Sequence, residues 1–74
     1  MIARRWHCEF CSDDGGRHRL TIALDASEVA EARTHECPEI AAQAMALRRA
    51  YRLAPKGWRH CVGGVTPAGA VALN

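Results

Sequence analysis

The residues best equipped for chemistry in this chain are two thiols at close spacing, in Cys8-Glu9-Phe10-Cys11. Two thiolates separated by two residues can curl around a tetrahedral ion, and this C-x2-C spacing recurs in structural zinc sites. A redox C-x-x-C usually places its first cysteine at a helix N-terminus, which lowers the thiol pKa. Here the flanking residues read instead as strand and turn. Cys37 is the best third ligand, because it lies where a short helix ends and can fold back over the first segment. For the fourth position His35 and Cys61 compete. His35 suits the way a zinc finger offers helix histidines to a hairpin C-x2-C, while Cys61 would make a site of thiolates alone. The expectation is one structural zinc ion on Cys8, Cys11, His35 and Cys37, with Cys61 the alternative to His35. If it is no ligand, Cys61 is a small hydrophobe beside Val62. His7, His18 and His60 read as surface histidines.

Catalysis is not expected. His35-Glu36-Cys37-Pro38 has residue types used by zinc deaminases but not the His-x-Glu followed by Pro-Cys-x-x-Cys that they need. His-Glu-x-x-His is missing, and Gly15-Gly16 lacks the Lys-Ser/Thr of a phosphate loop. A chain of 74 residues would also struggle to enclose a substrate cavity of about 300 Å³ or more. No small-molecule substrate is therefore expected.

A metal would answer a shortage of core. A chain this short buries only about 60–65% of the surface its unfolded form exposes. Fourteen alanines inflate its 49% hydrophobic content, against one Phe, one Tyr and two Trp. The first residues are basic without an apolar stretch behind them, so a cytoplasmic location is expected, where paired thiols hold metal more often than each other. No run approaches the ~18 apolar residues of a membrane span.

Residues 4–10 alternate loosely and read as a strand, Ser12 to Gly16 as a turn, and residues 19–24 as a second strand with Leu20, Ile22 and Leu24 on one face. The two make an antiparallel hairpin. Asp25 stands three residues before Glu28, a capping-box spacing, so residues 26–35 should form a short helix with Val29 and Ala32 inward. Pro38 ends that helix and opens a longer one. In it Ile40, Ala44, Leu47 and Tyr51 recur along one face, and Ala54-Pro55-Lys56-Gly57 stops it. Trp58 to Val62 could be a third strand or an extended return. The expected fold is a small zinc-stabilised α+β domain: hairpin, short helix, longer C-terminal helix. Residues 1–62 form the domain and 63–74 a mobile tail.

The hairpin-then-helix order around C-x2-C resembles finger-like zinc domains over residues 8–37. It departs from them in its longer gap and in the His35-to-Cys37 spacing. The resemblance implies an architecture and not a function.

Charge suggests the partner. Residues 1–47 carry five Arg against eight acids, whereas residues 48–74 carry five basic groups and no acid. Arg48, Arg49, Arg52, Lys56 and Arg59, with Trp58 among them, suit phosphate contacts plus stacking, and Arg4, Arg5, Arg17 and Arg19 from the hairpin could extend the patch. The expected role is a nucleic-acid-binding regulatory module using the basic end of the second helix. The alternative is a protein-binding adaptor or inhibitor with a structural zinc.

Overall fold

The computed structural model describes residues 2–68. Strand β1 (Arg5–Cys11) and strand β2 (Arg17–Ala23) form the hairpin, followed by helices α1 (Ala26–Ala32) and α2 (Pro38–Leu53) and a long strand β3 (Arg59–Ala68). The sheet order is β2-β1-β3, antiparallel throughout, so the first strand is the central one.

The expected finger-like, zinc-stabilised fold is thus corrected. Helix α2 is followed by a strand that completes a three-stranded sheet, and among the described residues no three of His, Cys, Asp and Glu gather as a metal-holding group. Residues 63–68, expected in the tail, are the second half of β3. Residues 69–74 lie outside the described residues.

Local signals explain the rest. Gly15 turns the hairpin at φ 89°, a conformation glycine adopts without steric cost. Asp25 and Glu28 close a reciprocal capping box at the start of α1. Cys37 is non-helical at φ −120°, as Pro38 requires, and Pro38 opens α2.

Strand alternation builds the core. Trp6, Cys8 and Phe10 point to one face of β1, across from Ile22, Leu20 and His18 of β2 and from Pro67, Val65 and His60 of β3. Helix α2 packs on this face and α1 packs on α2. Val29 and Ala32 of α1 are buried, as expected.

The buried face of α2 is Ala42, Ala46 and Ala50, not the expected line of Ile40, Ala44, Leu47 and Tyr51. Ile40 is 65% exposed and Ala44 is exposed as well. The period was legible but the face was not. Trp6 and Phe10 fill the space between helix and sheet, so the helix presents small residues there and carries its larger ones at the margin. Tyr51 is one of these: it stands edge-on to Phe10 at 4.9 Å between centroids. Its hydroxyl accepts the His60 backbone N–H at 3.2 Å and meets His60 Nδ1 at 2.6 Å, which joins α2 to β3.

Candidate functional site

The four expected zinc ligands are not brought together. β1 runs without interruption through Cys11, and in an extended strand residues three apart face opposite ways. Cys8 is therefore sealed in the core at 0% exposure, while Cys11 is half-buried on the other face. Burial pushes the Cys8 thiol above the ordinary thiol range, because a buried thiolate would lose its hydration. His35 and Cys37, both exposed, line a shallow groove between α1 and α2 with Ile40, Met45 and Arg48, and neither Cys8 nor Cys11 contributes to it. Cys61, the alternative ligand, lies beside Cys11 on the outer face of the sheet.

The expected basic surface is divided as well. Arg49 is a structural residue: one Nη donates to the carbonyl oxygen of Ala23 at 2.6 Å and the other pairs with Glu28, which ties α2 to the end of β2 and the cap of α1. The Arg49 guanidinium and the Asp25 backbone N–H hold the Glu28 carboxyl below its usual range. Arg59 pairs with Asp13 at 2.9 Å. Arg48 and Arg52 remain exposed, but they share their surface with Glu28 and Glu31 of α1. The acids of α1 fold onto the bases of α2 and offset the asymmetry of the linear sequence. Residues 25–57 hold five acids and five bases, so the net charge of +2 resides in the strands and their turn.

That charge is displayed on the sheet face turned away from α2. On it β1 presents Arg5, His7, Glu9 and Cys11, β2 presents Arg17, Arg19 and Thr21, and β3 contributes Arg59 and Thr66, as the ladder registers require. Glu9 organises the centre. Its carboxylate accepts from Arg19 Nε at 3.2 Å and Nη2 at 2.8 Å, with Arg17 3.7 Å away. His7 Nδ1 lies 2.9 Å from the Thr21 hydroxyl. Arg5 has no carboxylate partner among the described residues.

The sequence offers Arg5, Arg17 and Arg19 only as an extension of the helix patch, because with residues 63–68 read as a tail the arginines of a two-stranded hairpin have no settled inside and outside. The signal was present nonetheless: Arg5, Arg17 and Arg19 occupy the polar positions of alternating strands, which one buried face fixes at once.

One irregularity marks the same face. Cys8 pairs with Val65 and Phe10 with His60, so Glu9 alone stands opposite the four residues Cys61 to Gly64. This bulge carries Val62 fully exposed at its surface and bends through Gly63 at φ 71°. Gly64 permits the close approach: a Cβ there would stand 2.9 Å from the Cys61 carbonyl oxygen and 3.2 Å from Glu9 Cβ.

Comparisons of the chain with protein-family models, curated proteins and solved structures find no match. No helix among the described residues is long and apolar enough to cross a membrane.

Proposed function

We propose that this chain is a non-enzymatic module that binds the phosphate backbone of a nucleic acid through the uncovered face of its sheet, with Arg5, Arg17 and Arg19 as the contacting side chains. The observation that carries the reading is the set of guanidinium groups at alternating positions on a face against which no helix of the described residues packs. Arg17 and Arg19 are 74% and 58% exposed and share one carboxylate. Exposed ion pairs of this kind are worth about 0–1 kcal/mol, so a phosphate can replace Glu9 at little cost. Arginine also offers two parallel N–H donors to each phosphate. This reading moves the proposed contact surface from Arg48, Arg49, Arg52 and Lys56, at and after the end of α2, to the sheet face, where Arg59 also lies but is paired with Asp13, because Arg49 is committed within the fold and Arg48 and Arg52 face acids.

Anisotropy of labelled DNA and RNA oligonucleotides, titrated at several salt concentrations, tests it. Binding should weaken steeply with salt, with a slope of roughly 0.9 per duplex phosphate contacted. Replacing Arg5, Arg17 and Arg19 together by alanine should reduce that slope by about 2–3, while Arg48→Ala with Arg52→Ala should leave it unchanged. Binding that ignores salt, or that follows the helix pair instead of the sheet trio, overturns the proposal.

A protein partner is the second reading. It is favoured by Ile40, Leu53 and Val62, which are 65%, 62% and 102% exposed, and it predicts no response to oligonucleotides.

A further inference from the structure

Two of the four cysteines stand alone in the fold. Cys8 is sealed beneath the sheet and Cys37 stands exposed at the α1–α2 junction, each without a neighbouring thiol to react with. Cys11 and Cys61 are different. Cys11 pairs with Arg59 across the β1–β3 ladder, and Cys61, two residues further along β3, turns to the same face as its diagonal neighbour. Both are half-buried. The position a Gly64 Cβ would take is 3.2 Å from Cys61 Cβ and 3.2 Å from Glu9 Cβ, which places Cys61 over the outer side of β1 next to the residue that precedes Cys11 by two.

We propose that Cys11 and Cys61 form a thiol–disulfide pair, a site of reversible oxidation built across the β1–β3 ladder at its bulge. A disulfide needs Cα atoms about 4.4–6.8 Å apart, whereas diagonal neighbours in a regular ladder stand at roughly 7–8 Å. The bulge supplies the difference. The ladder is released at Cys61, and the glycines at 63 and 64 leave the segment free to shift toward β1 without a side chain in the way.

The reaction is an exchange with a low-molecular-weight disulfide such as oxidised glutathione. The thiolate of one cysteine attacks a glutathione sulfur, forming a mixed disulfide and expelling one glutathione thiolate. The second cysteine's thiolate attacks the protein sulfur of that mixed disulfide and expels the other. Two thiol protons are released, two electrons pass to the reagent, and two molecules of glutathione leave. Cys11 beside it pushes the Cys61 thiol up, so Cys61 keeps its proton longer. The pair stands on the ladder geometry and holds whether or not the sheet face binds nucleic acid.

The test treats the reduced, full-length Cys37→Ser variant with oxidised glutathione, blocks the remaining thiols and maps the peptides without reduction. The expected result is loss of two of three free thiols, a linked peptide pair containing Cys11 and Cys61, and an unreacted Cys8. With Cys61→Ser added, glutathione should remain attached to Cys11 as a stable adduct. Separate glutathione adducts on Cys11 and Cys61 with no linked peptide, or a failure of both to react while the chain is folded, overturns the proposal. The same mapping on the wild-type chain, with Cys37 carrying its own adduct, guards against a folding defect in the variant.

Discussion

Paired replacements of Cys8 by alanine and by serine distinguish a core residue from a metal ligand. The side chain is 0% exposed and lies between Leu20 and Val65 across the two ladders. Cys8→Ala removes one sulfur atom, a transfer loss on the order of 1 kcal/mol. A one-atom hole at about 24 cal/mol per Å³ adds roughly half a kcal/mol, for a total of about 1–2 kcal/mol. Cys8→Ser preserves the shape more closely but buries a hydroxyl among apolar neighbours, beside backbone groups already engaged in ladders. Leaving that hydroxyl unpaired costs about 1–3 kcal/mol. Serine should therefore be worse than alanine despite its closer resemblance to cysteine. At about 4–8 °C per kcal/mol for a domain of this size, Cys8→Ala lowers Tm by roughly 5–15 °C. Thermal and urea unfolding followed by circular dichroism, each with and without a strong chelator, measure these differences. Equal losses of several kcal/mol in the two variants, together with a chelator effect on the wild type, would refute the reasoning, since either replacement would then remove a metal–sulfur bond.

Other outcomes follow from the same packing. Arg49→Met should destabilise by about 1 kcal/mol, measured by urea unfolding, because it leaves Glu28 without its partner and removes the bond to the Ala23 carbonyl at a half-exposed site. Hydrogen bonds from the Ser12 hydroxyl, the Ser27 hydroxyl and Arg49 hold Asp14, Asp25 and Glu28 below their ordinary values of 3.8, 3.8 and 4.5. Their contribution is complete above those values and is lost as pH falls through the lower folded ones, so acid titration of stability should decline from about pH 4.5 downward, less so in Glu28→Gln. Ala46→Leu, at 0% exposure in the helix–sheet contact, should cost about 1–3 kcal/mol by overpacking, visible as a lower urea midpoint. Gly64→Ala should destabilise more than Gly63→Ala, although only Gly63 has a positive φ, because the new Cβ at 64 meets a backbone oxygen while the one at 63 meets nothing within 4 Å.

Local structure was legible in the sequence wherever a short-range chemical device fixed it. The turn at Gly15, the capping box of Asp25 and Glu28, and the helix start at Pro38 are each set by residues within four positions of one another. Of the third strand only the start was legible, as one of two readings of Trp58 to Val62, since its partner is β1, at least 48 positions away, and its middle is a glycine-containing bulge with no alternation to read. The face of α2 was misassigned for a related reason: large residues mark a helix's buried side only when the opposing layer has room for them, and Trp6 and Phe10 leave room for alanine. At the candidate site, C-x2-C is a ligand spacing only where the chain curls, whereas the strand continues through Cys11 and separates the two thiols. Clustering of like charges in the sequence likewise dissolved once α1 packed its acids against α2.

Because β1 occupies the middle of the sheet, it is flanked on one side by a strand that is synthesised well after it. Arg5 meets Ala68 only after 63 further residues have been added. The hairpin is complete at Ala23, 45 residues before Ala68, so at roughly 5–20 residues per second it waits about 2–9 seconds with one edge of β1 unpaired. Throughout that interval it offers an open template to any passing extended chain. Conditions that slow elongation should therefore raise the aggregated fraction of this protein.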